Sequence, residues 1–251
     1  MKIINILLVG ATKDSSVKSI YWYDIANNYT EYINDNIIKV TVLPFLNNTT
    51  GLSTIYNKVL DEHRHNYDYI IFMHDDTLFV NFKLFLREVL STKSDLMGVA
   101  GATAFPKYGL SPMAWNTNAA HAQAGEVWHK AKPDMPLIKQ VFANTPKTDK
   151  ALTVDGLCLI FAKSALDDIN LKFDETFSFD FYDMDLCFTA TKLGKRISVI
   201  HAPIIHYSLG FGIHSDRYKQ LETIFRKKWN VQNEIVSYDY DKWVSVIMTN
   251  S

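Results

Sequence analysis

Short, nearly continuous apolar runs recur along the chain and predict buried β-strands. They are rich in Ile, Val, Phe and Tyr, and most lack the strict alternation of a half-exposed strand. We therefore expect a sheet that is covered on both faces. The predicted strands are Ile4–Val9, Lys39–Phe45, Tyr67–His74, Met97–Phe105, Leu152–Ala162 and Arg196–His206.

Segments with apolar residues at helical spacing lie between several of these runs. Ser53–His63 and Asn81–Ser91 each place apolar side chains on one face. Tyr182–Leu193 does the same before Gly194, a typical C-terminal stop, and Arg217–Trp229 is the last predicted amphipathic helix. This alternation of strands and helices predicts an α/β fold whose sheet is mostly parallel in its first half.

The segment Pro106–Lys150 breaks the alternation. It contains five of the seven prolines and little periodicity. We expect a long irregular excursion over the sheet, which could include one short helix. Such a segment inside a compact domain is usually a binding loop or a lid.

Composition limits the possible classes of function. The 251 residues include 26 Lys or Arg and 27 Asp or Glu, so no global charge favours nucleic acid or an anionic membrane. An apolar content of 47 % argues against a disordered chain. No run approaches the ~20 apolar residues of a membrane span, and the start shows no cleavable signal. We expect a cytoplasmic protein, free or peripheral at the inner face of a membrane. Cys158 and Cys187 lie in apolar stretches, which favours two buried thiols over a disulfide.

The first strand runs into VGATKDSS, which matches neither of two common phosphate-binding loops. The P-loop pattern G-x-x-x-x-G-K-[ST] and the dinucleotide pattern G-x-G-x-x-G are both absent at this turn. This weighs against the two commonest classes of α/β nucleotide-binding protein.

A first group of polar residues follows the predicted strand Tyr67–His74. His74, Asp75 and Asp76 come where that strand ends, and ligands bind open α/β sheets beyond the carboxyl ends of strands. Two carboxylates and an imidazole there suit a divalent cation. The alternative is that Asp75 or Asp76 caps the helix over Asn81–Ser91 or begins a turn.

A second group of carboxylates precedes and enters the predicted helix Tyr182–Leu193. Acidic groups suit the positive end of the helix dipole, but there are more of them than capping requires. A cation or a reacting proton would explain the excess. The next predicted strand ends in His206, which could join a metal at Asp76 if the strand ends are neighbours; a lone histidine is otherwise usually structural. The carboxylates are Asp174, Glu175, Asp180, Asp183 and Asp185.

The order of these motifs resembles the GT-A glycosyltransferases of the family 2 type, and most closely their StrF-like branch from streptomycin biosynthesis. Over Ile4–Trp229 the chain presents NNTTGLSTIYN, a strand ending in HDD, then VDG, FDETF, YDMDLC, GKRISV and HYSLG. The resemblance implies one GT-A domain over residues 1–251, with a Rossmann-like mixed sheet flanked by helices. Residues 1–105 would form the nucleotide-binding half, and residues 106–251 the acceptor and catalytic half.

The resemblance also implies roles for individual residues. Asp76, His206 and His74 would hold a divalent cation, Mn²⁺ or Mg²⁺, and Asp183 would be the catalytic base. Thr12, Asn48, Asn57 and Asp75 lie in nucleotide-binding segments, and Asp155, Gly156, Trp115 and Asp185 in segments that face the sugar or acceptor. Asp185, two residues from Asp183 on a helix, would point elsewhere, which also suits a supporting role. Trp115 and Trp128 could stack on a sugar ring or pack in the core.

Two positions depart from the pattern of the family. His74 stands where the family has the first carboxylate of its D-x-D motif, and Tyr182 stands where it has the first residue of an acidic pair. His74 could therefore be a metal ligand or a ribose contact.

The implied activity is the inverting, metal-dependent transfer of a sugar to a hydroxyl of a glycan or lipid-linked glycan, as in polysaccharide biosynthesis. The donor would be a UDP-, GDP- or dTDP-sugar, whose diphosphate a cation would stabilise as it leaves. Arg226, Lys227 and Lys228 could assist, or could form a solvated helix end. Two alternatives stay open: a sugar nucleotidyltransferase, although VGATKDSS lacks the Gly-rich basic loop of that class, and a catalytically idle carbohydrate-binding domain. No nucleic acid partner is expected.

Overall fold

The structure is a computed structural model that describes residues 2–104, 122–130, 136–141, 145–208, 215–231 and 240–249. Within these residues the strands are β1 (Lys2–Ala11), β2 (Thr30–Ile33), β3 (Asn36–Phe45), β4 (Tyr69–Met73), β5 (Thr77–Phe79), β6 (Leu96–Gly98), β7 (Ala100–Ala102), β8 (Gln123–His129), β9 (Ile138–Val141), β10 (Thr153–Val154), β11 (Cys158–Ala162), β12 (Ile197–Val199) and β13 (Ile204–His206). The helices are α1 (Tyr23–Ala26), α2 (Leu52–His63), α3 (Phe82–Ser91), α4 (Lys163–Leu166), α5 (Tyr182–Lys192), α6 (Asp216–Lys228) and α7 (Tyr240–Thr249).

Seven of the described strands form one mixed sheet in the order β12-β6-β11-β4-β1-β3-β2. β1 pairs in parallel with β3 and β4, which confirms the parallel first half, whereas β11 is antiparallel to β4. Leu7 and Val9 of β1 enter one apolar core, and Ile6 and Leu8 enter another on the opposite face. Both faces are covered, which explains why the strand sequences are continuously apolar.

A second sheet has the order β10-β7-β8-β13-β5, with β9 paired to β8. β5 begins directly after Asp76, and β13 pairs antiparallel with it so that His206 lies opposite Thr77. The next residue, Tyr207, donates its backbone N–H to Asp76 O at 2.8 Å. This register brings His206 beside Asp76, which is the condition for the two residues to share a ligand.

Three of the predicted strands are each two strands, because the chain passes from one sheet to the other midway. Met97–Phe105 divides into β6 and β7, Leu152–Ala162 into β10 and β11, and Arg196–His206 into β12 and β13. Buried apolar residues continue through each crossing, so the hydropathy pattern does not reveal it. The description of Pro106–Lys150 as irregular is also wrong in part, since β8 and β9 lie within it. β2 and β5 were not predicted.

The helices are closer to expectation. α2, α3 and α5 confirm the predicted helices to within one residue at each end, and α6 lies close to the predicted Arg217–Trp229. However, α6 is not the last helix, because α7 follows it and buries Trp243 and Ile247 in the core that also holds α5. Cys158 and Cys187 are free and buried, as predicted. None of the helices in the described part of the chain has the length and apolar character that a membrane crossing requires.

Candidate active site

A cavity of about 630 Å³ opens at the carboxyl ends of β1 and β4. Thr12 follows β1, Asn48 precedes α2, and His74, Asp75 and Asp76 follow β4; all five line the cavity. The structure therefore brings these predicted site residues together. Neither Asp75 nor Asp76 caps α3, because Asn81 does so by accepting a hydrogen bond from Leu84 N at 2.9 Å.

The chain is fixed where it leaves β4. The carbonyl oxygen of His74 accepts hydrogen bonds from Trp22 Nε1 at 2.9 Å and from Thr77 Oγ1 at 2.7 Å. His74 N in turn donates to Leu157 O at 3.1 Å. These bonds hold the backbone of the His74–Asp76 turn independently of any ligand.

His74, Asp76 and His206 form a cluster whose potential metal-ligand atoms all lie within 4.8 Å of one another. His206 Nε2 is 3.4 Å from Asp76 Oδ2. Asp76 Oδ1 and His206 Nδ1 are buried, and neither has a hydrogen-bond partner among the described residues. Because an unsatisfied buried polar atom is costly, this cluster is suited to a ligand that those atoms would contact.

The charge states of the cluster suit a cation. Burial lowers the pKa of His74 to about 4, with His206 adding to the effect and Asp76 opposing it. Burial alone would raise the pKa of Asp76, but contact with His206 and the nearby His74 holds it below the ordinary value. At neutral pH the cluster therefore offers a carboxylate and a His74 ring with a free lone pair.

A smaller cavity of about 130 Å³ adjoins the first, and the two share His74, Phe179 and Asp180 as lining residues. Asp155, Gly156 and Asp183 line the smaller cavity. Asp183 Oδ2 accepts a hydrogen bond from Gly156 N at 2.8 Å, and its Oδ1 accepts one from Met184 N at 2.8 Å. The predicted base is thus held by two backbone donors with its carboxylate at the cavity.

Asp155 and Asp183 are partly buried neighbouring acids that influence each other. Burial is the main cause that raises the pKa of Asp183 above its ordinary range, while its backbone hydrogen bonds lower it. Burial and the charge of Asp183 together raise the pKa of Asp155. Raised pKa values of this kind favour proton transfer near neutral pH.

The turn before α5 aims Tyr182 and Asp183 at the cavity. Phe181 has a φ of 67°, a left-handed conformation that a bulky residue rarely adopts. Its ring is buried, with its centroid 4.8 Å from that of Tyr218 and 5.5 Å from that of Phe225. Packing against α6 thus stabilises a strained backbone beside the candidate base.

Tyr182 links the two cavities in a way that the sequence did not reveal. Its Oη lies 3.0 Å from Gly156 O, to which it donates, and 3.0 Å from His74 Nε2. Burial raises the pKa of Tyr182 well above its ordinary value, so the phenol is neutral. A Cβ at residue 156 would lie 2.1 Å from this Oη, which is why residue 156 is glycine. The sequence carried one hint, since His74 and Tyr182 are the two departures from the family pattern.

Some predicted site residues lie elsewhere. Asp185 is fully buried, 2.7 Å from Lys228 Nζ, and accepts a hydrogen bond from Trp229 Nε1 at 2.7 Å. It is not among the lining residues of either cavity, and these contacts favour the supporting role over a contact with the sugar or acceptor. Asn57 bonds to both backbone groups of Phe173 and to Glu175, which joins α2 to that turn, and it is not among the lining residues of either cavity. Trp115 is outside the described residues.

The remaining aromatic and basic candidates have structural contacts. Trp128 lies on β8 and donates its indole N–H to Glu126 at 2.6 Å. At the end of α6, Arg226 pairs with Glu222, and Lys228 pairs with Asp174 and Asp185. Arg226 and Lys228 thus form ion pairs within the fold, and neither is among the lining residues of the two cavities.

Other residues of the larger cavity were missed. Lys13, Ser178, Phe179 and Arg217 line it, and Arg217 donates a hydrogen bond to Ser178 Oγ. Arg217 lies in the first turn of α6, where a positive charge opposes the helix dipole. That unfavourable placement was the available signal for a functional role.

Comparisons with known proteins agree with this geometry. The family model described as "Glycosyltransferase like family" matches residues 31–229, which is most of the chain. No curated protein sequence matches the chain significantly. Among solved structures, the mannosyltransferase PcManGT from Pyrobaculum calidifontis, in complex with GDP-Man and Mn²⁺, is 10 % identical with a TM-score of 0.51; the match covers 97 % of this chain and 68 % of that one. This similarity shows that PcManGT and this chain share a fold.

Two further solved structures are less similar. Residues 1–349 of S. aureus TarS, in complex with UDP-GlcNAc, are 13 % identical with a TM-score of 0.46, over 99 % of this chain and 70 % of that one. A197 from STIV is 12 % identical with a TM-score of 0.39, over 78 % of this chain and 81 % of that one.

Proposed function

The chain belongs to the glycosyltransferase-like family, and we propose that it transfers a sugar, with inversion, from a nucleotide-sugar donor to a hydroxyl of a glycan or lipid-linked glycan. One observation carries the proposal: His74 of the His74–Asp76–His206 cluster lines both cavities. A donor with its nucleotide in the larger cavity and its sugar toward the smaller one would have its reacting bond beside that cluster.

The cluster fits a divalent cation. Two imidazoles and a carboxylate converge there, and buried oxygen and nitrogen atoms of Asp76 and His206 lack partners among the described residues. We assign Mn²⁺ ahead of Mg²⁺, because Mg²⁺ prefers oxygen ligands. When bound, the cation would act as a Lewis acid toward the leaving diphosphate. The fold neighbour PcManGT, which contains GDP-Man and Mn²⁺, supports this assignment.

Asp183 is the proposed general base. The acceptor oxygen forms a bond to the anomeric carbon as the bond from that carbon to the diphosphate oxygen breaks on the opposite side. The acceptor proton passes to the Asp183 carboxylate, and the nucleoside diphosphate leaves with the electron pair. Attack opposite the leaving group inverts the anomeric carbon. Burial, which raises the pKa of Asp183, makes its carboxylate a stronger proton acceptor.

The larger cavity has residues for the rest of the donor. Arg217 and Lys13 are the proposed contacts of the diphosphate, and Thr12, Asn48 and Asp75 those of the nucleoside. Phe179, with 56 % of its surface exposed, could stack on a sugar ring. Both halves of the chain, 1–105 and 106–251, supply lining residues, which supports one GT-A domain as the working unit. The motif order supports a place in the StrF-like branch.

A thermal-shift screen tests donor and metal together. We expect UDP-, GDP- or dTDP-sugars of one nucleotide class to raise the unfolding temperature when Mn²⁺ is present and to do so much less in excess EDTA. A ligand at 100 times its Kd stabilises by about 2.7 kcal/mol. Asp76→Asn should remove the metal-dependent part of the shift. No shift with any nucleotide sugar would contradict the donor assignment.

Turnover tests the mechanism. NMR of the product should show the anomeric configuration opposite to that of the donor, and chelation should stop transfer until Mn²⁺ or Mg²⁺ is restored. Retention of configuration would contradict the single-base mechanism. Full activity in excess chelator would refute the role of the metal.

A further inference from the structure

The two residues that depart from the family pattern contact each other. By the family resemblance, His74 on the loop after β4 stands in the place of a carboxylate, and so does Tyr182 at the start of α5, 108 residues later in the chain. His74 Nε2 and Tyr182 Oη are 3.0 Å apart, within hydrogen-bond distance. The pair therefore acts as one structural unit.

Proton counting determines the direction of this hydrogen bond. A neutral phenol has one proton to donate, and the carbonyl oxygen of Gly156, 3.0 Å from Tyr182 Oη, can only accept. If Tyr182 donated to His74 instead, two acceptor oxygens would face each other without a proton between them. Both contacts are satisfied only when Tyr182 donates to Gly156 O and His74 Nε2 donates to Tyr182 Oη.

We propose that Tyr182 is a positioning residue that holds His74 in its Nε2–H tautomer and so leaves the lone pair of His74 Nδ1 for a divalent cation. This inference rests on the proposed metal site. A hydrogen bond from the distal ring nitrogen commonly fixes the tautomer and orientation of a metal-bound histidine. A phenol in place of a carboxylate does this without adding another negative charge beside Asp155 and Asp183.

The tautomer is measurable in the metal-free protein. Long-range ¹H–¹⁵N NMR correlation at pH 7 distinguishes the two ring nitrogens, and we expect His74 to be protonated at Nε2 in the wild type. In Tyr182→Phe, His74 should show a mixture of tautomers. A wild-type His74 protonated at Nδ1 would overturn the inference, whatever the protein catalyses.

Manganese affinity supplies the second measurement, from the electron paramagnetic resonance signal of free Mn²⁺. We expect Tyr182→Phe to weaken Mn²⁺ binding by about 10- to 100-fold, the usual effect of losing a partner of a metal ligand. His74→Ala should weaken it at least as much, and Tyr182→Phe should add nothing in the His74→Ala background. Additive losses would show that Tyr182 does not act through His74.

Tyr56→Phe is the matched control. Tyr56 Oη is buried without a hydrogen-bond partner among the described residues, and its ring centroid is 6.0 Å from that of Tyr182. We expect Mn²⁺ affinity near that of the wild type in this variant, and urea midpoints will verify that both Tyr variants are folded. Equal losses in the two variants would overturn the inference. A wild type that binds no Mn²⁺ would instead refute the proposed metal site, and the tautomer measurement would still decide the role of Tyr182.

Discussion

Asp183 and Asp185 lie two residues apart on α5, yet their surroundings are opposite. Asp185 lies 2.7 Å from Lys228 Nζ, at the end of α6, and 2.7 Å from Nε1 of Trp229, the residue that follows α6. Lys228 Nζ also pairs with Asp174 at 2.8 Å, and we call these four residues the Lys228 cluster. Asp183 instead accepts hydrogen bonds from two backbone N–H groups and has the acid Asp155 as its neighbour. Asp185 is fully buried and Asp183 is partly buried, and among the described residues only Asp185 has a cation beside it.

The difference shows how one acidic segment serves two purposes. The Lys228 cluster offsets buried negative charge and joins α6 to α5, which is a contribution to stability. The cleft carboxylates, Asp155 and Asp183, keep their charge uncompensated, which is unfavourable for stability and useful for taking up a proton. Substitutions of the cleft carboxylates should therefore affect turnover, whereas substitutions in the Lys228 cluster should affect stability.

The largest expected effect is on turnover, from Asp183→Asn. An amide cannot accept the acceptor proton, so kcat should fall by about 10²- to 10⁴-fold. The thermal shift produced by the donor should persist, because Asp183 is not among the proposed donor contacts. Asp174→Asn, on the Lys228 cluster, is the matched control and should turn over at close to the wild-type rate. Loss of only a few-fold in Asp183→Asn would remove it as the base.

Asp185→Asn should have the next largest effect, on stability. The asparagine can still accept from Trp229, but its amide would face the partly exposed Lys228 ammonium, which would keep only the Asp174 carboxylate as a partner. We expect the free energy of unfolding to fall by about 2–3 kcal/mol, measured by urea denaturation. Asp174→Asn should lose under about 1 kcal/mol, because its pair with Lys228 is about one-third exposed. Equal midpoints for Asp185→Asn and wild type would contradict this account.

The smallest expected effect is on the pH dependence of stability, which should have opposite signs for the cleft carboxylates and for the Lys228 cluster. Burial and Asp183 raise the pKa of Asp155, so the folded protein keeps a proton that the unfolded chain has released. Its stability therefore falls as pH rises through the raised pKa. Asp155→Asn removes this penalty and should stabilise the protein at pH 8 by on the order of 1 kcal/mol, with no gain near pH 4.

Asp174 provides the contrast. Burial opposes ionisation, but Lys228 and Thr176 N hold the pKa of Asp174 below its ordinary value. The stability it contributes is present above the unfolded pKa and is lost as pH falls through the folded one. Urea midpoints of both Asn variants from pH 4 to pH 8 should therefore shift in opposite directions relative to wild type. Urea midpoints that shift in the same direction in both variants would mean that the cleft carboxylates and the Lys228 cluster do not differ in charge compensation.

The sequence predicted the parts of the fold that local pattern determines. α2, α3 and α5 carry helical periodicity, and the runs through β1, β3 and β4 carry the continuous apolar character of doubly covered strands. The crossings between sheets escaped prediction, because they are set by which strand pairs with which. β8 escaped because the prolines around it suggested irregular structure, whereas long-range pairing with β7 and β13 makes it a strand.

The residues of the candidate site also divide into those that local sequence predicts and those that tertiary packing determines. Asp76, His74, Thr12 and Asn48 were predictable because they follow or precede elements at one edge of the sheet. Asn57 and Asp185 were assigned from nearby motifs, but their contacts with Phe173 and Lys228 come from tertiary packing. Arg217 and the Tyr182–His74 hydrogen bond depend on residues far apart in sequence, for which one chain without relatives gives little signal.

The close approach of Tyr182 to Gly156 ties the residue types at three positions together. Any side chain at residue 156 would push the phenol away, and without the phenol His74 would lose the partner of its Nε2. Gly156 belongs to the VDG motif of the family pattern, whereas His74 and Tyr182 depart from that pattern. Histidine at position 74 and tyrosine at position 182 should therefore be gained and lost together, always with glycine at position 156, and their joint presence would mark a distinct lineage within the family.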